Sequence, residues 1–269
     1  MLIAHISDPH ITERGTKAYG IAPMAENLML CVDHINHQKM RPDLVLLSGD
    51  VTNDFSVNQA TYAREILAAL EVPYYLVPGN HDCRDVIWDV FGGAACPSRE
   101  DGFINYVIED HPLRIIALDS LHPGQSGGKF CPVRLQWLAD QLAAGGERPT
   151  LIFLHHPPLK LGVPETDVCG FIGAEAFGEL VQSYPNIQRV LCGHIHLDTH
   201  SQWRGTTVST APSIGMGLDL SLGQSGASEF LLTPPGYMLH HWLPQGVLIS
   251  HSIQVRSVDG PFAFAPVAT

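Results

Sequence analysis

The chain has 269 residues, of which 45% are hydrophobic and 16% are charged, a composition typical of a folded domain. Its formal net charge of −12 at pH 7 argues against a basic surface for nucleic acid or anionic membranes. The sequence has no apolar run of the roughly twenty residues that span a membrane, and its first residues lack the basic region of a signal peptide. We therefore expect a cytoplasmic protein with one large domain, alone or with a small appendage.

The cysteine and histidine content carries further information. The six cysteines form no Cys-x-x-Cys pair, which favours free thiols in a reducing compartment over a disulfide framework. Fifteen histidines are present, and histidine is the commonest metal ligand among the side chains.

The predicted elements alternate in the manner of an α/β protein. The hydrophobic pattern predicts strands over 2–7, 44–50, 72–77, 103–108, 114–118, 150–154, 187–192, 201–203, 206–209, 238–242 and 247–254. It predicts helices over 24–39, 57–70, 132–142 and 174–183, with a short helix around 86–91 that Asp82 could cap. Residues 121–131 are expected to form a loop at the rim of an active site, and residues 212–236 an irregular segment.

Polar side chains follow five of the predicted strands. In open α/β sheets, ligands bind at the carboxyl ends of the strands. We therefore expect these side chains to converge at one edge of the sheet. A carboxylate such as Asp50 can bridge two cations, and a mixture of imidazole and carboxylate ligands suits Zn, Fe, Mn or Co. Cysteine is absent from the set, which disfavours a closed structural zinc site. The set consists of Asp8, His10, Asp50, Asn80, His81, His155, His194 and His196.

The order of these residues resembles the signature of the calcineurin-like metallophosphoesterase superfamily. That signature is Asp-x-His, Gly-Asp, Gly-Asn-His-Asp or Gly-Asn-His-Glu, a later His, and Gly-His-x-His, and all five parts occur here. By the order of these motifs, the resemblance covers residues 1–210. Within the superfamily, the sequence most resembles class III cyclic nucleotide phosphodiesterases and the bacterial metal-dependent glycerophosphodiesterase. The segments 5–8, 41–43, 79–82 and 155–159 are similar to those of the glycerophosphodiesterase. The resemblance implies a four-layer α-β-β-α sandwich of two mixed sheets flanked by helices, with a small C-terminal cap of strands and loops.

The same resemblance implies a binding role for each residue of a centre with two divalent transition-metal ions (Fe, Mn, Zn or Co). The ligands of the first ion would be Asp8, His10 and His196. The ligands of the second ion would be Asn80, His155 and His194. Asp50 would bridge the two ions.

Two histidines beside these ligands have other implied roles. His81 would face the phosphoryl group and would act in catalysis together with Asp50 and Asn80. A structural role is favoured for His156, because His155 already satisfies the motif. Residues 51–53 read Val-Thr-Asn where protein Ser/Thr phosphatases carry Asp-Arg-Gly, so the phosphate-binding arginine of those enzymes is missing and a protein phosphatase is disfavoured.

The implied activity is hydrolysis of small phosphodiesters, either glycerophosphodiesters or 3',5'-cyclic nucleotides, by a metal-activated hydroxide. Three alternatives stay open: a nuclease-type phosphoesterase, a phosphonate or phosphate monoesterase, and a metal-binding scaffold without activity. The expected partners are a small-molecule phosphodiester and further copies of the chain in a homo-oligomer, with neither a membrane nor nucleic acid.

The chain is expected to divide near residue 210. Residues 1–210 would form the catalytic core, and residues 211–269 would complete the sandwich with loops and strands. The irregular composition of the second segment, next to strongly apolar strands, also indicates a cap over the site or a contact between subunits.

Overall fold

Two mixed β-sheets lie at the centre of the structure, a computed structural model that describes residues 1–220, 222 and 229–255. The 5-stranded sheet contains, in spatial order, β15 (Val247–Gln254), β14 (Gly236–Leu243), β1 (Leu2–Ile6), β2 (Leu44–Leu47) and β3 (Tyr74–Leu76). The 6-stranded sheet contains β10 (Thr199–Trp203), β11 (Thr206–Thr210), β9 (Ile187–Cys192), β7 (Thr150–Phe153), β5 (Arg114–Ala117) and β4 (Tyr106–Ile108).

The remaining elements are two small ribbons and the helices. β6 (Gly128–Lys129) pairs with β8 (Phe171–Ile172), and β12 (Met216–Leu218) pairs with β13 (Phe230–Leu232). The helices are α1 (Met24–Asn36), α2 (Val57–Leu67), α3 (Arg84–Phe91), α4 (Pro132–Gly145), α5 (Pro164–Asp167) and α6 (Ala174–Gln182).

Alternating side chains on the central strands show the four layers. In β7, Leu151 and Phe153 belong to the core shared with the 5-stranded sheet, whereas Ile152 packs with α4 and α6 on the other face. The strands are buried on both faces, which explains why they read as continuous apolar runs in the sequence. Helices α1 and α2 pack on the outer face of the 5-stranded sheet, with Leu28 and Leu67 among their buried residues. The predicted four-layer sandwich of two mixed sheets is confirmed.

The parallel strands of each sheet place their carboxyl ends at one edge. β1, β2 and β3 run parallel to one another, and so do β5, β7, β9 and β11. Because parallel strands end at the same edge, the polar residues that follow β1, β2, β3, β7 and β9 meet there.

Several short elements are absent from the sequence prediction. The segment 212–236, expected to be irregular, contains β12 and β13, and the loop 121–131 contains β6. Strands of two or three residues are too short to show a period in the sequence. The expected hairpins of 103–118, 201–209 and 238–254 are present as antiparallel pairs.

The C-terminal strands belong to the 5-stranded sheet. β14 pairs antiparallel with β1, and β15 pairs antiparallel with β14. Parts of the predicted second segment, residues 221, 223–228 and 256–269, lie outside the described residues. In the described part of the chain, none of the helices is long and apolar enough to cross a membrane.

Candidate metal centre

The polar residues predicted at the strand ends meet between the two sheets, and their backbone is unusual. Asp8 (φ 51°), His10 (φ 41°), Asp50 (φ 49°), His194 (φ 74°) and His196 (φ 57°) have left-handed conformations. Residues other than glycine adopt this backbone conformation at a cost of about 1–3 kcal/mol each, and such residues concentrate at functional sites. The fold therefore holds these positions in place against local strain.

The first group of the centre consists of Asp8, His10 and His196. The Nε2 atoms of His10 and His196 lie 3.0 Å apart, and His196 Nε2 lies 3.5 Å from Asp8 Oδ1. Asp8 is oriented from behind, since its two oxygens accept the backbone N–H of His194 at 3.2 and 3.1 Å. Candidate ligand atoms of the three residues lie within 4.8 Å of one another, close enough to share one metal ion.

The second group is built around His155. Its Nε2 lies 3.1 Å from Asn80 Oδ1 and 3.4 Å from Asp50 Oδ2. Its ring centroid lies 5.1 Å from that of His194. Asp50 Oδ2 also lies 3.6 Å from His10 Nε2, so a single carboxylate oxygen stands between the two groups.

The chemistry of these donors fits metal cations. His155 Nδ1 donates a hydrogen bond to the Ser48 carbonyl at 2.7 Å, and His196 Nδ1 donates to the Met216 carbonyl at 2.7 Å. A carbonyl only accepts, so Nδ1 of each imidazole carries a proton, and Nε2 is the nitrogen left to bind a cation or a second proton. Carboxylate and amide oxygens lie beside Nε2, and a cation between these groups would be stabilised.

The electrostatics of the site agree with this. Burial by itself lowers the pKa of His155, but the charge of Asp50 and the hydrogen bond between the two raise it to about 9. Burial by itself raises the pKa of Asp50, yet His155 and His10 hold it well below its ordinary value. The site therefore stabilises positive charge between these side chains.

His81 lies at the side of the centre, half-buried. Its backbone N–H donates to Asp50 Oδ1 at 2.8 Å, which leaves Asp50 Oδ2 facing the two groups. Its Nδ1 donates to the Asn53 carbonyl at 2.8 Å, and its ring lies 4.8 Å from the ring of His10 between centroids. The ring orientation is thus fixed, with Nε2 as the second functional nitrogen.

His156, for which the sequence favours a structural role, lies beside two of the predicted metal ligands. Candidate ligand atoms of His155, His156 and His194 lie within 4.8 Å of one another. The His156 Nδ1 and Ser120 Oγ are hydrogen-bonded at 2.8 Å, and burial lowers the pKa of His156 well below its ordinary value. Ser120 therefore fixes the orientation of a neutral imidazole next to the second group.

The prediction that Asp82 caps α3 is wrong. The residue before that helix is Cys83, and no side chain caps it. The Asp82 carboxylate accepts instead the backbone N–H groups of Val51, Thr52 and Gly79. It thereby ties the loop after β2 to the loop after β3, the two loops that carry Asp50 and Asn80.

Glycines next to the ligands allow very close packing. A Cβ atom on Gly79 would lie 2.2 Å from Asp50 Oδ1. A Cβ atom on Gly193 would lie 1.9 Å from Ser7 Oγ and 2.7 Å from Asp8 Oδ2. These distances explain why glycine precedes the ligand in two of the motifs.

Two cavities adjoin the centre. One, of about 240 Å³, is lined by residues that include His156, Lys160, Phe171 and His194. The other, of about 300 Å³, is lined by residues that include Tyr19, His194, His196, Met216 and Phe230. They share Thr166, His194 and Ile195, so two neighbouring cavities adjoin the metal ligand His194.

Comparison with known proteins decides the family. The family model described as calcineurin-like phosphoesterase matches residues 1–198. The chain belongs to this family. It is 34% identical over 271 residues to a probable glycerophosphodiester phosphodiesterase, GpdQ, of Arcobacter nitrofigilis, with 98% of this chain and 97% of the relative covered. It is 28% identical to the 3',5'-cyclic adenosine monophosphate phosphodiesterase CpdA of Pseudomonas aeruginosa, with 90% and 85% covered.

A solved structure shows the same fold. A dimetal phosphatase from Danio rerio superposes with a TM-score of 0.66 at 15% identity, over 95% of this chain and 99% of that one. Calcineurin-like phosphoesterases bind a dinuclear metal centre and are hydrolases, so the superfamily and enzyme class inferred from the five motifs are confirmed.

Some residues that shape the site were not singled out from the sequence. Ser48 and Met216 orient ligand imidazoles through their backbone carbonyls, which any residue type would supply. His5 is different, because a histidine within the apolar strand predicted over 2–7 indicates a buried polar group that needs a hydrogen-bond partner.

Proposed function

We propose that the protein is a dinuclear metal-dependent phosphodiesterase that acts on small phosphodiesters. The single observation that supports this most is the position of Asp50 Oδ2, 3.6 Å from His10 Nε2 and 3.4 Å from His155 Nε2. The similarity to relatives named as glycerophosphodiester and cyclic nucleotide phosphodiesterases makes these two diester classes the candidate substrates.

In this proposal each ion has its own ligands and the two share one carboxylate. Asp8, His10 and His196 would hold the first ion. Asn80, His155 and His194 would hold the second ion. Asp50 would be shared between them, and the mixed nitrogen and oxygen ligands suit Fe, Mn, Zn or Co.

Bound ions of this kind supply hydroxide at neutral pH and neutralise charge on the phosphoryl oxygens. The protein's own residues orient the reaction. Asp50, held by the backbone N–H of His81 at 2.8 Å, fixes the separation of the two groups of ligands. His81 Nε2 protonates the departing alkoxide, for which the imidazole must carry both protons, since Nδ1 donates to the Asn53 carbonyl.

The two cavities lined by His194 favour a diester over a monoester. A diester carries an organic group on each side of phosphorus, and the cavities of about 240 and 300 Å³ offer room for one group each. A diester also carries one negative charge, which reduces repulsion from Asp8 and Asp50.

A substrate panel tests the proposal. Protein loaded with Mn²⁺ or Co²⁺ is assayed against glycerophosphodiesters, cyclic nucleotides, bis(p-nitrophenyl) phosphate, p-nitrophenyl phosphate, a phosphonate ester and DNA. We expect diester hydrolysis that a chelator abolishes. Preference for the monoester or phosphonate, or DNA cleavage in preference to small diesters, would replace the proposal with the corresponding alternative. Metal binding without any hydrolysis would indicate a scaffold.

We also propose a cytoplasmic homo-oligomer, with residues 211–269 as the cap or subunit contact. Free thiols at Cys31, Cys83, Cys96, Cys131 and Cys192 support a reducing compartment. On β13, Leu231 and Leu232 expose apolar side chains, as a buried contact would use. Sedimentation of the full chain at micromolar concentration tests the oligomer, and a monomer would contradict it.

A further inference from the structure

A chain of hydrogen-bonded polar side chains crosses the apolar space between the two sheets and ends beside the ligands. It begins at Arg189 on β9, which donates to Ser250 Oγ on β15. Ser250 Oγ lies 2.7 Å from His240 Nδ1 on β14, and His240 Nε2 lies 3.3 Å from His5 Nδ1 on β1. His5 Nε2 lies 2.8 Å from Ser48 Oγ. We call Arg189, Ser250, His240, His5, Ser48 and Ser7 the buried polar chain.

The direction of these hydrogen bonds is fixed by chemistry. Burial lowers the pKa of His5 to about 3 and that of His240 well below its ordinary value, so both imidazoles are neutral. A neutral imidazole has one donor and one acceptor, and a guanidinium only donates. Ser48 donates its one hydroxyl proton to Ser7 Oγ, so it accepts from His5 Nε2. His5 Nδ1 then accepts from His240 Nε2, His240 Nδ1 accepts from the Ser250 hydroxyl, and the Ser250 oxygen accepts from Arg189.

The buried polar chain ends at Ser48 and Ser7, which lie next to metal ligands. Ser48 Oγ donates to Ser7 Oγ at 2.7 Å, which joins the ends of β1 and β2. Ser7 directly precedes Asp8, and the backbone carbonyl of Ser48 accepts the Nδ1–H of His155 at 2.7 Å. Asp8 (φ 51°) and Asp50 (φ 49°) leave these strands in left-handed conformations, which persist where the surroundings determine them strongly.

Stability alone does not explain the two histidines. His5 and His240 have 0% exposure in a core of aliphatic side chains. Apolar residues of similar volume in place of a buried polar network are often neutral or stabilising. Such a network does, however, restrict its members to one arrangement.

We propose that His5 and His240 are positioning residues that set the geometry of the metal centre through Ser48 and Ser7. The inference rests on the metal-binding part of the proposed function. Neither histidine touches substrate in this proposal, and both act through the orientation of Asp8 and His155.

Metal binding by the apo-protein provides the test. The double variant His5→Leu/His240→Leu removes both imidazoles and leaves neither of them as an unpaired donor. We expect its affinity for Mn²⁺, measured by calorimetric titration, to fall about 10- to 100-fold, the usual effect of losing residues that orient ligands. We expect its thermal unfolding temperature, measured without metal, to equal or exceed that of the wild type.

His34→Leu is the matched control, because His34 is hydrogen-bonded to Tyr237 and lies outside the buried polar chain. Its Mn²⁺ affinity should equal that of the wild type. An unchanged affinity in the folded double variant would overturn the proposal. A wild-type apo-protein that binds no Mn²⁺ would instead refute the proposed function itself.

If the double variant does not fold, a pair of single variants decides the matter. The amide of His5→Gln can donate to Ser48 and accept from His240, whereas His5→Leu can do neither. We expect His5→Gln to bind Mn²⁺ more tightly than His5→Leu. Equal affinities in the two variants would overturn the positioning role.

Discussion

Asp82→Asn tests how the loops that carry Asp50 and Asn80 are held together. Asp82 Oδ2 accepts the backbone N–H of Val51 at 3.1 Å and of Gly79 at 2.9 Å, while Oδ1 accepts the N–H and the hydroxyl of Thr52 at 2.9 and 3.0 Å. An asparagine can keep its oxygen on the first two donors, but its amide nitrogen then faces the Thr52 N–H. A buried donor without an acceptor costs about 1–3 kcal/mol, which is the loss of stability we expect near pH 7.

The size of this loss depends on pH because the pKa of Asp82 is shifted. Burial first, and the charge of Asp50 second, raise it from 3.8 to about 6. With a raised pKa in the folded state, the stability contributed by this carboxyl is complete below the unfolded value of 3.8 and is lost as the pH rises through about 6. The interval between these two values corresponds to about 3 kcal/mol.

The asparagine variant lacks this titration. The excess stability of the wild type over Asp82→Asn should therefore grow by up to about 3 kcal/mol between about pH 7 and about pH 4. Urea unfolding of both metal-free proteins over a series of pH values measures the difference. A difference that stays constant with pH would show that Asp82 does not titrate in this range, and a difference near zero throughout would refute its role in joining the loops.

Four further substitutions give separate expectations. His81→Ala should keep both metal ions but lose far more rate on alkyl diesters than on nitrophenyl diesters, because general-acid help of about 10²–10⁴-fold matters most for poor leaving groups. Equal losses on both substrates, measured by kcat at full metal loading, would remove the acid role. Asp50→Ala should lose both ions by elemental analysis, whereas Asn80→Ala should mainly lose the second, and equal metal content in the two variants would argue against a shared ligand. Gly193→Ala should lower both metal affinity and melting temperature, since its Cβ would lie 1.9 Å from Ser7 Oγ, and normal metal binding would contradict that packing.

Sequence patterns predict the fold and the convergence of the site for a clear physical reason. Parallel strands buried on both faces read as apolar runs, and the polar residues that follow them must meet at one edge of the sheet. The runs ending before Asp8, Asp50 and His155 are of this kind, and the structure brings these three residues together. Five short motifs in a fixed order were therefore enough to indicate the superfamily.

The rest depends on contacts between distant parts of the chain. His5 and His240 are separated by 235 positions, and nothing near either residue in the sequence indicates the other. Asp82 lies where a helix cap is expected from the neighbouring sequence. The neighbouring sequence does not show that its carboxylate accepts hydrogen bonds from backbone N–H groups such as that of Thr52, 30 positions away. The short ribbon of β12 and β13 likewise has too few residues to produce a period.

Metal stoichiometry tests the dinuclear proposal most directly. The apo-protein is saturated with Mn²⁺, freed of unbound ions and analysed for metal per chain, and diester hydrolysis is followed in parallel as metal is added. Because Asp50 Oδ2 lies within 3.6 Å of His10 Nε2 and 3.4 Å of His155 Nε2, we predict two ions per chain, with activity rising as the second site fills. Saturation at one ion per chain, with full activity, would contradict the dinuclear centre.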